Sequence, residues 1–318
     1  MPKPIITVFG ATGAQGGGLA RALLGDRDRH FEVRAVTRRP DGAAARALAS
    51  AGAQVVLADL DDPSSVQRAL DGAYGAFFVT NFWEHFSGER ELAQVHTLAA
   101  AAAQAGIHHA VWSTLEDTRD FFPADGSRMP VLQKRFNVPH LDAKGEAHRF
   151  FAQQRVPVTY LYTSAFWENL IHFGMGPQRQ ADGTLAVTFP TGDVRIPWIG
   201  VEDIGIAAHQ IFLQGEALIY DAIGVAGDHL SGAELAAHLE IALGEHVVYN
   251  SISADAYRAL GFPGADELGN MWQFKRDFEV AYRARRDLAR VRKLHPHIAN
   301  FATWLKANAS RIPVARAA

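Results

Sequence analysis

Short apolar runs alternate with longer amphipathic stretches through the first half of the chain. Near-continuous apolar strands separated by helices are typical of a parallel sheet with helices on both faces. The predicted strands are Ile5–Phe9, Val33–Thr37, Gln54–Ala58, Ala76–Thr80, His109–Ser113 and Val158–Tyr162. The predicted helices are Gly16–Leu24, Ala43–Ala51, Pro63–Leu70, Glu89–Ala105 and about Asp142–Gln153.

The pattern becomes mixed after Tyr162, and Ser231 and Glu234 have the spacing of a capping box there. The chain is therefore predicted to be an α/β protein, with a Rossmann-type, doubly wound parallel sheet and a smaller mixed C-terminal lobe. In chain order the later elements are strand Leu185–Phe189, helix Val201–Phe212, strand Leu218–Ala222, helix Ser231–Ala242, strand His246–Asn250 and helical pieces to about Asn308.

The Rossmann domain is predicted to comprise residues 1–157, with later contributions from about 158–164 and 198–224. Residues 165–197 and 225–318 are predicted to form the smaller lobe, which would bind a substrate or a partner. No glycine- or serine-rich linker separates the two parts.

The composition is that of an ordinary globular protein, with 318 residues, 48% of them hydrophobic, and a formal net charge of −3. That charge gives no reason to expect direct nucleic-acid binding. The absence of cysteine excludes disulfides and thiol catalysis. The apolar run Ile5–Phe9 is too short for a signal peptide, and no segment approaches the roughly 18 apolar residues of a membrane span. A cytoplasmic protein without a membrane partner is expected.

Three glycines, Gly10, Gly13 and Gly16, follow the first predicted strand and open the first helix. Glycines there permit a tight turn and a close approach of the backbone to a pyrophosphate. The helix N-terminus adds N–H donors and a favourable dipole. The alternative is a glycine turn without a ligand. The position at the first strand-to-helix junction favours a dinucleotide loop.

The second strand ends in Thr37-Arg38-Arg39, and the third is followed by Asp59-Leu60. An acid after the second strand binds the ribose 2′-hydroxyl of NAD, whereas an arginine can pair with the 2′-phosphate of NADP. Arg38 therefore favours NADP(H) as the cofactor, the alternative being a solvated arginine. Asp59 is placed to meet the adenine, unless it is a helix-cap residue, and Leu60 to pack on it.

Several short strings together resemble the NmrA-like family of atypical short-chain dehydrogenase/reductases, and within it the NADPH-sensing type. The resemblance runs from about Ile5 to Leu305. The glycine loop is shared with many relatives, whereas the Thr80–Glu84 and Leu260–Ala265 strings are more specific. The strings are Gly10–Gly16, Thr37-Arg38, Asp59–Asp62, Thr80–Glu84, His140–Glu146, Phe166–Asn169, Pro190–Asp193 and Leu260–Ala265.

The resemblance implies that NADP(H) binds at the carboxyl ends of the strands. It places Thr12, Gly13, Ala14, Gln15 and Gly16 at the pyrophosphate, Arg38 at the 2′-phosphate, Thr80, Asn81 and Phe82 beside the adenosine and ribose, Lys144 at the nicotinamide ribose, and Phe166, Trp167, Glu168 and Asn169 beside the nicotinamide.

Typical short-chain dehydrogenases use Tyr-x-x-x-Lys on one helix face, where the tyrosine donates a proton as hydride arrives. Here the string is His140-x-x-x-Lys144, and the missing tyrosine speaks against ordinary carbonyl reduction. His140 is either a substitute acid or a helix-start histidine exposed to solvent. Lys144 either binds the ribose or forms a surface salt bridge. Ser113, which ends the fifth strand, either polarises a substrate or is a buried hydroxyl bonded to backbone.

Two functions remain open. An intact cofactor loop beside a missing tyrosine favours a cofactor-responsive redox sensor with a regulatory protein partner. The alternative is an NADPH-dependent reductase of a quinone-type or other small aromatic acceptor, which can take its proton from water. No string has metal-ligand spacing, so no metal is predicted. The aromatic side chains that would line an acceptor pocket, or else pack in the core, are Phe82, Trp83, Phe166, Trp167 and Trp198.

Overall fold

The computed structural model describes residues 3–314. The chain divides into two compact units. The first comprises Met1–Phe122, Pro139–Thr163 and Val201–Ile223, and the second comprises Pro123–Val138, Ser164–Gly200 and Gly224–Ala318. Residues 1–2 and 315–318, at the ends of the predicted domains, lie outside the described residues.

The strands are β1 Ile5–Val8, β2 Glu32–Thr37, β3 Gln54–Leu57, β4 Gly75–Phe78, β5 His109–Thr114, β6 Val158–Tyr162, β7 Ala165–Phe166, β8 Gln178–Arg179, β9 Leu185–Phe189, β10 Ile196–Ile199, β11 Ala222–Gly224, β12 Asp228–Leu230 and β13 Val247–Ser251. The helices are α1 Ala14–Leu24, α2 Ala43–Ser50, α3 Pro63–Leu70, α4 Gly88–Ala105, α5 Pro139–Glu146, α6 His148–Gln153, α7 Asn169–His172, α8 Val201–Gln214, α9 Gly232–Leu243, α10 Ala254–Arg258, α11 Ala265–Asp277, α12 Glu279–Arg285, α13 Leu288–Leu294 and α14 Phe301–Asn308.

A seven-stranded sheet forms the centre of the first unit, in the order β11-β6-β5-β4-β1-β2-β3. Strands β1 to β6 pair in parallel. Every residue of β4 and β5 is buried, as expected for strands covered on both faces. The chain order reverses between β1 and β4, and such a switch point opens a crevice at the carboxyl edge of the sheet. The predicted Rossmann-type fold is confirmed.

Local sequence signals set several helix ends. The side chain of Asp62 accepts hydrogen bonds from the amides of Ser64 and Ser65, and Pro63 occupies the first turn of α3. The predicted capping box between Ser231 and Glu234 is present at the start of α9.

Two predicted elements are wrong. The helix expected over Asp142–Gln153 starts at Pro139 and is broken near Ala147 into α5 and α6. The strand expected over Leu218–Ala222 is instead a 3-10 turn followed by β11. Tyr220 explains the second error, because its φ of +68° is left-handed and incompatible with a strand.

The second unit contains two three-stranded sheets, β12-β10-β7 and β13-β9-β8, and helices α9 to α14. Each sheet combines one parallel and one antiparallel pair, so the predicted mixed lobe is confirmed. Large buried aromatic side chains, including Trp167, Trp272 and Phe301, form its core. Across residues 3–314, the helices lack the combination of length and apolarity that a bilayer crossing requires.

Candidate functional site

The glycine loop between β1 and α1 is shaped by close backbone contacts. Gly10 has a φ of +63°, which favours glycine, and its carbonyl accepts a hydrogen bond from the amide of Gly13 at 2.9 Å. A Cβ on Gly16 would overlap the carbonyls of Phe9 and Gly10. The amide of Ala11 donates to the carbonyl of Val36, which fixes the loop against β2. The loop can therefore approach a ligand with backbone alone.

The N-terminus of α1 has the character of an anion site. Gly13 is the N-cap residue of α1, and among the described residues no side chain forms a capping hydrogen bond there. The first turn of the helix carries no acidic residue. Thr12, Gly13 and Ala14 are exposed. The first amides of a helix have no intrahelical acceptor and lie at the positive end of its dipole. These groups can hold a pyrophosphate.

Hydroxyl groups tie this loop to neighbouring strand ends. The hydroxyl of Ser113, at the end of β5, donates to Oε1 of Gln15 at 2.6 Å and is 2% exposed. The hydroxyls of Thr12 and Thr37 lie 3.4 Å apart. The hydroxyl of Ser113 therefore bonds the side chain of Gln15. A purely structural hydroxyl was expected to bond backbone instead.

Arg38, at the end of β2, forms an ion pair with Glu84, from the 3-10 turn after β4. Nη2 donates to Oε2 at 2.8 Å, and a second hydrogen bond joins Nη1 to Oε1. The side chains are 53% and 42% exposed. The paired hydrogen bonds raise the pKa of Arg38 and lower the pKa of Glu84 from their ordinary values, so both groups are charged.

Lys144, on α5, lies in a buried polar cluster at the end of β4. Its Nζ donates to Oγ1 of Thr80 at 2.7 Å and to the Thr80 carbonyl at 3.2 Å. It also forms a 2.7 Å ion pair with Oε1 of Glu91, which is fully buried, and lies over the ring of Trp112. Lys144 is therefore not a surface residue, and the predicted partners Thr80 and Lys144 are brought together.

Two members of this cluster were missed by sequence reasoning. Glu91 lies in the first turn of α4, and Nε2 of His85 is 3.7 Å from its second carboxylate oxygen. A signal for Glu91 existed. It stands on the same helix stripe as Val95, Leu98 and Ala102, all of which are buried. A carboxylate on an apolar stripe needs a buried partner.

His140 is 5% exposed, so the expectation of a solvent-exposed histidine is wrong. Its ring packs against Trp83 and Phe82, with centroids 4.9 and 5.8 Å away. Phe82 and Trp83, in the turn after β4, cover the start of α5. The local sequence of α5 does not reveal this contact. Phe82 is itself 2% exposed, whereas its neighbour Asn81, three residues after β4, is exposed.

The residues after β3 have local roles. Asp62 caps α3, while Oδ1 of Asp59 accepts a hydrogen bond from the amide of Asp61. Asp61 pairs with Arg90, whose hydrogen bond lowers the pKa of that carboxyl. Asp59 and Leu60 are half-buried.

Phe166 to Asn169, expected beside the nicotinamide, belong to the second unit. Trp167 is fully buried and packs against Phe301 and Trp304. Glu168 accepts a hydrogen bond from the indole of Trp304 at 3.0 Å. Phe166 ends β7, and Asn169 begins α7. Trp198 packs against aromatic side chains of the same unit.

Known proteins share this architecture. The NADP complex of NmrA, a negative transcriptional regulator, matches with a TM-score of 0.75 at 23% identity, covering 97% of this chain and 95% of that one. The NADP(H) complex of triphenylmethane reductase from Citrobacter sp. matches with a TM-score of 0.74 at 19% identity, covering 96% and 99%. At these identities the structures establish a shared fold.

Sequence comparison gives the family. The NmrA-like family model matches residues 2–305. The NmrA-like family domain-containing oxidoreductase FrzB of Cladobotryum sp is 31% identical over 283 residues, which cover 85% of this chain and 83% of that protein. This chain belongs to the NmrA-like family.

Proposed function

We propose that this protein binds NADP(H) and acts as a cofactor-responsive redox sensor. One observation carries the proposal. The two basic side chains expected to contact the cofactor, Arg38 and Lys144, are both paired with carboxylates of one short stretch, residues 82–91. A ligand that engages either base therefore acts on the same stretch of chain.

The chemistry of the cofactor supports this coupling. A 2′-phosphate would compete with Glu84 for the bidentate guanidinium of Arg38. Ribose hydroxyls would share the ammonium of Lys144 with Glu91 and Thr80. Binding would then rearrange the 82–91 segment, which gives the two conformational states that a sensor requires.

The absence of a tyrosine at position 140 supports binding without carbonyl reduction. His140 packs against the rings of Phe82 and Trp83, and the lysine four residues later is neutralised by Glu91. The relative NmrA, a negative transcriptional regulator solved with NADP, shows that this fold serves regulation in another protein.

Paired titrations of the apo protein with NADPH and NADH test the cofactor assignment. NADPH is expected to bind at least tenfold more tightly, because Arg38 would pair with the 2′-phosphate. Arg38→Ala should remove most of that preference, while Arg39→Ala, a change to the adjacent exposed arginine, should keep it. Equal affinities in the unmodified protein would contradict the NADP(H) assignment.

The sensor role is tested by comparing NADPH with NADP⁺. We expect different affinities, or different rates of limited proteolysis within residues 82–91. Equal affinity together with identical proteolysis would contradict a sensor while leaving cofactor binding intact.

A second candidate is an NADPH-dependent reductase of a quinone-type or other planar aromatic acceptor. An aromatic cluster of Phe82, Trp83, Phe86 and His140 favours it, since Phe86 is 43% exposed and offers a stacking surface. The names of FrzB, an oxidoreductase, and of the Citrobacter reductase also support it. NADPH consumption across a panel of quinones and dyes is the test, and Lys144→Ala should weaken both binding and turnover.

A further inference from the structure

A second cluster of ligand-type side chains lies in the loop between α1 and β2. Asp26, Asp28 and His30 each offer one ligand atom, and these atoms all lie within 4.8 Å of one another. Oδ2 of Asp26 is 2.7 Å from Nδ1 of His30 and accepts a hydrogen bond from the His30 amide at 3.0 Å. The loop is thus folded around the Asp26 carboxylate, with His30 and Asp28 turned to the same place.

His209, from helix α8, faces the Asp26 carboxylate of this cluster. Its side chain is 9% exposed, and Nε2 lies 3.8 Å from Oδ2 of Asp26. That distance is too long for a hydrogen bond, and within residues 3–314 this buried nitrogen has no hydrogen-bond partner. A buried polar atom without a hydrogen-bond partner destabilises the fold. A bound cation would supply the missing partner.

We propose that Asp26, Asp28, His30 and His209 form a binding site for a divalent transition-metal ion, with Zn²⁺ the best match to the ligands. Imidazole nitrogens and carboxylate oxygens are both ligands that zinc binds. With metal–ligand bonds of about 2.0–2.1 Å, ligand atoms in a tetrahedral site lie about 3.3 Å apart. The separations from Oδ2 of Asp26, 2.7 Å to His30 and 3.8 Å to His209, bracket that value.

This site is independent of the dinucleotide site. Helix α1 begins at the glycine loop and spans about 16 Å, and the Asp26–His30 loop follows its other end, before β2 starts at Glu32. The cluster therefore lies at the amino edge of the sheet, whereas Arg38 lies at the carboxyl edge. A metal ion there would join the α1–β2 loop to α8 and stabilise the first unit.

Calorimetric titration of the chain, without a polyhistidine tag, with ZnCl₂ tests the proposal. We expect saturable binding of one ion per chain, and a visible absorption band when Co²⁺ replaces Zn²⁺. His209→Asn, His30→Asn and Asp28→Asn should each weaken binding at least tenfold. His246→Asn is the matched control. His246 is an exposed histidine that also contacts a carboxylate, Glu240, at 2.6 Å, and its loss should leave binding unchanged.

The variants of His30 and Asp28 distinguish loss of metal binding from loss of folding. His30 and Asp28 are exposed, so their substitution should preserve NADPH binding and thermal unfolding in the absence of metal. If His209→Asn fails to fold, these two variants decide the question. Absence of saturable binding in the unmodified chain would overturn the proposal, as would binding that is unaffected by His30→Asn and Asp28→Asn.

Discussion

At the scale of single residues, the two ion pairs of the candidate site differ in burial. Arg38–Glu84 is about half exposed, whereas Lys144–Glu91 is almost completely enclosed. Water and salt screen the first pair, but the second has little access to either. An exposed pair is more easily broken by a competing charge, whereas the buried pair joins α5 to α4.

Replacing Glu84 by glutamine should strengthen NADPH binding. The substitution releases Arg38 from its carboxylate and removes a negative charge near the expected 2′-phosphate. Since an exposed pair is worth about 0.2–1 kcal/mol, the Kd should fall by up to about fivefold. Binding of NADH, which lacks that phosphate, should not change. Glu32→Gln, at the opposite end of β2, is the control, and equal effects of the two substitutions would count against the exchange.

Replacing Glu91 by glutamine should destabilise the protein strongly. The change leaves the Lys144 ammonium buried without its counter-charge, which typically costs about 3–5 kcal/mol in unfolding free energy. Adding Lys144→Met should recover part of that loss, because it removes the uncompensated charge. Urea unfolding of the single and double variants measures both effects.

The exposed Arg21–Glu202 pair supplies the comparison for this experiment. Glu202→Gln should cost less than about 1 kcal/mol. A similarly small loss for Glu91→Gln would mean that the buried cluster does not depend on charge.

At the scale of elements, the loop and helix α1 depend on the absence of a side chain at Gly16. Gly16→Ala should displace the start of α1, because its Cβ would overlap two carbonyls. We expect a stability loss of about 1–3 kcal/mol and at least a tenfold weaker affinity for NADPH. A Cβ on neighbouring Gly17 meets its nearest atom, in the Arg21 side chain, at 3.2 Å, so Gly17→Ala should be milder in both measurements. A reversed order would contradict this account of the loop.

Elements were predictable from sequence where the signal is local. The bounds of α3 were correct because Asp62 and Pro63 define its start, and β6 and β9 were correct because each is a short apolar run. The strand expected through Tyr220 was wrong because its left-handed backbone leaves no trace in hydrophobicity. Local patterns therefore predicted the sheet and the glycine loop, but not the connection that contains Tyr220.

The candidate site was less predictable because its contacts are long-range. Arg38 and Glu84 are 46 positions apart, and Lys144 and Thr80 are 64 apart. Arg38 and Lys144 were each predicted to contact the cofactor, but nothing adjacent in sequence shows that a carboxylate faces them. The parallel sheet creates these pairs, since it brings distant strand ends to one edge.

At the scale of the whole molecule, acid should weaken the fold through His109. This residue is fully buried on β5, and its Nε2 lies 2.8 Å from Oγ1 of Thr159. Because that hydroxyl donates to the Leu218 carbonyl, Nε2 carries the proton and donates to Thr159. Nδ1 has no partner among the described residues, so a second proton there would be buried without an acceptor.

Burial lowers the pKa of His109 to about 4, against an ordinary value of 6.5. As the pH falls through this window, the unfolded chain takes up a proton that the folded protein excludes, so stability declines with pH. The shift corresponds to a loss of about 3 kcal/mol once both pKa values are passed. His109→Gln should remove this contribution, so that unfolding free energies measured in urea between about pH 7 and pH 4 decline less steeply than in the unmodified protein. His108→Gln, at the exposed neighbouring position, should keep the original pH dependence, and parallel curves for all three proteins would show that His109 is not the group responsible.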